Sequence, residues 1–275
     1  MRSIGVLFLL VCLVAAQDGG RDTGKEGKPV LFVRWQRLPE TGVIYRACWS
    51  ALEPYFGVLS RKRILDVDAD PERGRSLLAA EKGAALVVAF DAESAKLVKD
   101  QLPNAALVLV GADQQALVPA QADRELLLRL MRLLKPKLRR VALFGDPSKL
   151  RDVTVKRCTK PAEMKDCDVV WIAEGAHIGA RELRKYADKL GLPLVSTHPA
   201  TKRGLAALHV RPDAAAVGRR TASVVLRHLR DAAPLKPQKN VRRSVVALDL
   251  GAADAAGCRV SLRLLARADT IGRTR

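Results

Sequence analysis

The sequence predicts an α/β protein made of two doubly wound, Rossmann-like lobes with parallel sheets, joined by a hinge. Short runs of Val, Leu and Ala recur along the chain and alternate with segments of helical periodicity. That is the pattern of buried parallel strands linked by helices. The pattern restarts once, after a polar stretch at Asp113–Asp123. The length of 275 residues accommodates two lobes, each of roughly 100–130 residues.

The chain opens with an export signal. Arg2 supplies a positive start, Ile4 to Val14 form an apolar run, and Val14-Ala15-Ala16 offer small residues for cleavage before Gln17. A permanent span needs about 20 apolar residues, more than this run has. Residues 1–16 therefore read as a cleaved signal peptide, and the mature protein is expected in the periplasm or outside the cell. Cys12 in a Leu-x-x-Cys context keeps a lipoprotein reading open, although Val11 is bulky for that signal. Residues 17–28, rich in Gly, Asp and Lys, read as a flexible leader.

The first lobe is expected over 29–118. Pro29–Val33, Arg63–Val67, Ala85–Phe90 and Ala105–Val110 read as its strands. Between them, Glu40–Tyr55 and Pro71–Lys82 read as helices, the second closed by Gly83. Asp91 starts a further helix, to about Leu102. The second lobe is expected over 119–212. Its helices are Arg124–Leu134, stopped by Lys135-Pro136, and Ala176–Leu190, closed by Gly191. Its strands are Arg140–Phe144, Asp168–Ala173, Leu194–Ser196 and Leu205–Val210, and the stretch from Ser148 to Asp166 is poorly patterned. Residues 213–275 read as a crossover helix and C-terminal segment packing at the hinge, with a helix from Pro212 to about Asp231 and a strand at Ser244–Leu248.

Composition narrows the function. The formal net charge is +19, yet the Lys and Arg clusters are short and carry no interleaved aromatics. Nucleic-acid binders of single strands need such stacking platforms, and an exported chain does not meet nucleic acid, so neither partner nor cofactor of that kind is expected. A solvated basic surface and a functional anionic partner both remain open. Four cysteines follow the signal segment: Cys48, Cys158, Cys167 and Cys258. Export permits disulfides. Cys158 and Cys167 flank a short loop and are the expected pair, with free buried thiols as the alternative. His177, His198, His209 and His228 show no metal-ligand spacing, and no P-loop, G-x-G-x-x-G or G-x-S-x-G occurs. Neither metal nor enzymatic activity is expected.

The order of segments resembles the ABC transporter substrate-binding family, in its tryptophan/tyrosine-type branch of the type 1 periplasmic-binding-protein fold. The C-terminal third carries the likeness most closely. YADKLGLPLVSTHPATKRGLAALHVRPDAAAVGRRTASVVLRHL is similar to the family's series of helix, strand, polar loop, strand and long helix. VVALDLGAADAAGCRVSLRLLARAD is similar to its terminal block. LPETGVIYRACWSAL and AALVVAFDAESAKLVK match the first lobe more loosely. The chain departs from the family between Gly111 and Asp123, between Ser148 and Asp166, and at Asp91-Ala92, where the family has a Thr-Pro turn. The resemblance implies a monomeric binder of a small-molecule solute that docks to the membrane permease of an ABC transporter.

Open α/β sheets hold ligands at the carboxyl ends of their strands. That rule selects Arg34, Trp35, Phe90, Asp91 and Ser94 from one lobe, and Asp146, Glu174, His177, Ser196 and Thr197 from the other. Arg34 would meet a carboxylate and Asp91 an ammonium, while Trp35 and Phe90 would supply stacking area. Asp91 as a plain helix cap is the competing reading. A non-transport envelope interaction or sensor module with a degenerate cleft is the alternative function, motivated by the Asp91 turn and the charge.

Overall fold

The computed structural model describes residues 30–35, 38–55, 62–81, 83–111, 115–145, 149–173, 176, 178–198, 201–202, 204–241 and 243–274. The signal segment 1–16, with Cys12, and the leader 17–28 lie outside them.

The first lobe alternates β1 (Val30–Arg34), α1 (Pro39–Leu52), β2 (Lys62–Asp66), α2 (Pro71–Ala79), β3 (Leu86–Ala89), α3 (Ala92–Gln101), β4 (Ala106–Gly111) and the short β5 (Val118–Pro119). Its sheet runs β2-β1-β3-β4-β5, parallel throughout. β1 pairs on both edges and is covered on both faces, which is why it reads as an unbroken apolar run. Its side chains alternate between layers: Val30 and Phe32 enter the core with Ile44 and Leu52 of α1. Leu31 and Val33 enter the opposite core with Leu78 of α2 and Leu97 and Val98 of α3. Asp70 starts α2 by accepting the Glu72 and Arg73 N–H groups, with Pro71 in the first turn where no donor is needed.

The second lobe contains α4 (Arg124–Leu134), β6 (Arg140–Phe144), β7 (Thr154–Arg157), β8 (Val169–Ile172), α5 (Ala180–Lys189), β9 (Leu194–Ser196) and β10 (Leu208–Pro212). The chain then enters α6 (Ala214–Asp231) before β11 (Ser244–Asp249), α7 (Leu250–Ala255), α8 (Leu262–Leu265) and β12 (Thr270–Gly272). The sheet order is β12-β11-β10-β9-β8-β6-β7, and only β10 and β11 are antiparallel. Val141 and Leu143 face one core, and Ala142 and Phe144 the other. The two lobes are therefore doubly wound α/β units with parallel sheets, as the sequence predicts. The stretch at Ser148–Asp166 holds more than its pattern suggests: β7 and a 3-10 turn at Pro161–Met164. β7 is an edge strand with mostly exposed side chains, so it carries no apolar signature.

α6 does not stay with the sheet it leaves. Val217, Ala222, Val224 and Val225 pack into the first lobe's core beside Phe32, Ile44 and Val110. The connections between the lobes are laced together. Gln121 and Asn240 exchange hydrogen bonds, Asp123 N–H donates to Ser244 Oγ at 3.1 Å, and Asp213 N–H donates to the Arg243 carbonyl at 2.9 Å. Arg243 also pairs with the Asp213 carboxylate at 3.1 Å.

Gly218 sets how closely α6 approaches α1. A Cβ there would overlap the Ile44 carbonyl oxygen, and would lie 2.7 Å from Ala47 Cβ and 2.9 Å from Cys48 N. Alanine normally gains about 1 kcal/mol over glycine inside a helix. Here the obstacle is backbone, which cannot rotate away, and overpacking costs about 1–3 kcal/mol. Gly218→Ala is therefore expected to lower the thermal midpoint, whereas Gly83→Ala, where a Cβ meets nothing within 4 Å, leaves it unchanged; calorimetry distinguishes the two.

Candidate functional site

The carboxyl ends of β1, β3, β9 and β10 bring the polar side chains of both lobes to one region. On the first lobe, Arg34 is already neutralised. Its Nε–H donates to Asp66 Oδ1 at 2.6 Å, across the register pair that joins β1 to β2. Its guanidinium lies 5.5 Å from the Tyr45 ring centroid. Trp35 packs its half-buried ring against the core of Leu31 and Val33. Phe90 is only 4% exposed. It stacks on Phe32 with centroids 6.3 Å apart and meets Tyr45 edge-on at 6.4 Å. It is a core residue because Leu86, Val88 and Phe90 continue one face of the β3 alternation.

Asp91 is the cap of α3. It accepts hydrogen bonds from the N–H and the hydroxyl of Ser94, and from the Trp35 N–H at 3.1 Å. Its oxygens tie the loop after β1 to the loop after β3, so the role expected for it toward a ligand ammonium is taken up within the chain. Ser94 is fully buried.

On the second lobe, buried Ser196 donates to Thr201 Oγ1 at 2.9 Å and accepts the His198 N–H at 3.1 Å. Thr197 Oγ1 accepts the Trp171 Nε1–H at 3.0 Å, and its own N–H donates to the Ile172 carbonyl. The loop is thus tied down from within. Asp146, Glu174 and His177 lie outside the described residues.

The residues that join the lobes are Glu40 and Arg211, and neither is among those the strand-end rule selected. Glu40 stands in the first turn of α1, just after β1, and Arg211 is near the end of β10. Arg211 Nη1 forms an ion pair with Glu40 Oε1, and its Nη2–H donates to the Thr201 carbonyl at 2.8 Å. Its Nε is buried and has no hydrogen-bond partner among the described residues. Burial pushes the Glu40 carboxyl above its usual range, and outweighs the opposing pull of Arg211. Burial also lowers the His198 imidazole, and the Arg211 charge lowers it further, both favouring the neutral ring. Sequence signals for both did exist. Arg211 sits one residue past the expected strand end at Val210, and Glu40 follows the Pro39 that opens the first helix.

This corner offers a carboxylate, a guanidinium with a spare buried N–H, hydroxyls and an imidazole. Such a set has the donors and acceptors to pair with both charges of a small polar molecule. Among the described residues no group of three or more His, Cys, Asp or Glu is placed to hold a metal ion. The cysteines differ from the expected pairing: Cys158 and Cys167 are free, as are Cys48 and Cys258, and all are buried. Cys158 and Cys167 share a core with Phe144 and Met164. Burial pushes the Cys48 thiol up to about 12 and the Cys158 thiol to about 11, which keeps both protonated and unreactive.

No family model and no curated protein matches the sequence. Solved structures do match the fold. An ABC domain in complex with L-Trp from Streptococcus pneumonia aligns over 88% of this chain and 99% of its own, with a TM-score of 0.62 and 12% identity. The ligand-free, open form of a substrate-binding protein with adhesive properties from Clostridium difficile aligns over 90% of this chain and 100% of its own, at a TM-score of 0.68 and 12% identity. A conserved domain protein from Vibrio cholerae aligns over 90% and 100%, at 0.65 and 11% identity. The chain therefore has a periplasmic-binding-protein-like fold. Among the described residues no helix is long and apolar enough to cross a membrane.

Replacing Asp91 by Ala removes a helix cap and strands the Trp35 and Ser94 donors. Cap loss alone costs about 1 kcal/mol, and stranded donors add to it. The thermal midpoint is expected to fall by several degrees, measured by circular dichroism. A second expectation follows from His198. The folded imidazole binds a proton less readily than the unfolded one, whose value is about 6.5. Its contribution to stability is therefore complete above that pH and is lost as pH falls below it. Denaturant titrations between pH 7.5 and 5.5 should show a shallower pH slope for His198→Gln than for the parent protein.

Proposed function

We propose that the protein is the extracytoplasmic solute-binding component of an ABC-type importer, and that it holds a small zwitterion, an amino acid, between its lobes. In this reading residues 1–16 direct export, 29–118 and 119–212 form the lobes, and 213–275 return across the hinge. The mature chain acts as a monomer and docks to a membrane permease. The observation that carries it is the ion pair of Arg211 with Glu40, which spans from one lobe to the other at the strand ends. An α-carboxylate takes the Arg211 fork, including the spare Nε–H, and an α-ammonium takes Glu40. One interior ion pair is exchanged for two pairs to the ligand. Ser196, Thr197 and Thr201 brace the loop beneath, and Asp91 and Ser94 brace the opposite one. The fold neighbour complexed with L-Trp supports a ligand of this class.

A second reading rests on the same ion pair. If Glu40 and Arg211 seal the region permanently, the protein is an envelope interaction module with no small ligand. The fold neighbour with adhesive properties belongs with this alternative.

A thermal-shift screen of amino acids and small amines separates the two. A ligand that binds only the folded state raises the midpoint through mass action. Glu40→Gln and Arg211→Gln are each expected to weaken the best ligand about tenfold or more, the value of one charge-assisted bond. A flat response across the whole library rejects the transport reading in favour of the sealed module.

A further inference from the structure

The outer surface of the first lobe carries a cavity far from the Glu40–Arg211 corner. It has a volume of about 330 Å³, and lies between the end of α1 with its following 3-10 turn and the solvent-facing stripe of α6. Ala51, Ala222 and Leu226 form its apolar floor, and Tyr55, Arg219, Ser223, Arg227 and Arg230 complete the lining. Residues 219, 223, 227 and 230 recur at helical spacing, so one stripe of α6 presents them together. From Glu40 to Ala51 along α1 the rise is roughly 16 Å, and this cavity opens on a different face.

The charge in the cavity is poorly compensated. Arg230 pairs with its neighbour Asp231 at 2.8 Å. Among the described residues Arg227 donates to neutral acceptors, the Ser223 carbonyl at 3.2 Å and Gln238 Oε1 at 3.5 Å, and it shares the field of the same Asp231 carboxylate, so three guanidinium groups are set against one acid. Arg219 has no acidic partner among the described residues. Two guanidinium charges are left over, with an exposed phenol and a hydroxyl beside them. A solvated basic face does not need a concave shape, and arginine stems lying on an apolar floor present their planar forks outward. Two forked donors on one stripe can engage a dianionic tetrahedral oxyanion from two sides, with three oxygens to share between them.

We infer that this cavity is an anion-binding site for a phosphate-monoester group, with Arg219 and Arg227 as the principal donors and Ser223 and Tyr55 at its edge. The site is independent of the cleft and of the importer reading. The monoester is carried either by a soluble phosphorylated molecule or by a membrane lipid headgroup.

Phenyl phosphate is the soluble probe, titrated calorimetrically at low salt. Vesicles of phosphatidylcholine with phosphatidic acid are the membrane probe, read by co-sedimentation. The parent protein is expected to bind at least one of them saturably. The double variant Arg219→Gln/Arg227→Gln should lose about tenfold or more. Arg259→Gln/Arg263→Gln removes the same charge from exposed positions on the second lobe and should change binding little. Ser223→Glu keeps every arginine and places a carboxylate among them, so it reads the site even if the double variant unfolds. Loss of phenyl phosphate binding alone assigns a soluble ester, and loss of vesicle binding assigns a lipid headgroup. No saturable binding of either probe overturns the inference. Equal loss in both double variants, or binding of every probe the parent binds that survives Ser223→Glu, does so as well.

Discussion

The close approach of α1 and α6 is the contact on which the rest of the molecule depends. α6 begins in the second lobe, at the end of β10, and buries its apolar face in the first lobe's core. Without that docking the lobes would be joined by the connecting segments and the Glu40–Arg211 ion pair. Gly218 permits it, because the backbone of α1 occupies the space a side chain would need. The Asp213 carboxylate then serves two ends. It caps α6 by accepting the Ala216 N–H at 3.1 Å, and it meets Arg243 where the chain returns to β11. Cap, crossover and return are fixed at one point, two residues beyond Arg211.

The same arrangement explains the polarity of the region between the lobes. Strand carboxyl ends leave loops whose backbone groups must be satisfied, and burial makes unsatisfied groups costly. The chain answers with Asp91, Ser94, Ser196 and Thr201, which hydrogen-bond within and between neighbouring loops. Side chains so engaged shape a site without being free to hold a ligand. Arg211 differs because its buried Nε–H finds no acceptor among the described residues.

The fold was largely legible in the sequence and the site was not, for physical reasons visible at particular residues. Buried parallel strands are apolar on both faces, so β1, β3, β6 and β8 stand out as runs. β7 has one covered edge and exposed side chains, and β12 is three exposed residues, so neither leaves a pattern. The α6 helix was expected from Pro212 and begins at Ala214, since Pro212 still belongs to β10 and Asp213 is the cap. Position relative to a strand end selects loops at the carboxyl ends of the sheets, where Glu40 and Arg211 also stand. It could not say which side chains there are spent on the loops themselves. Phe90 lay on the core side of the β3 alternation, and Asp91 had the spacing to Ser94 that a cap requires; both signals were local and readable. Arg211 and Glu40 are 171 residues apart, and no local pattern pairs them.

Their separation along the chain also sets the energetics of any hinge motion. Glu40 moves with the first lobe, while Arg211 belongs to the second lobe's sheet, so opening must break their ion pair. Exposed pairs are worth about 0–1 kcal/mol, and a fully buried pair is often close to neutral once the desolvation of both charges is counted. With side chains 27% and 25% exposed, this pair lies between those limits. Burial raising the Glu40 carboxyl, against the pull of Arg211, argues that desolvation consumes much of the attraction. The pair then orients both groups while contributing little net stability of its own. In the proposed reading, a pair of that strength holds the two lobes together without locking them, because a ligand that supplies both charges would offer Arg211 and Glu40 the partners they now find in each other.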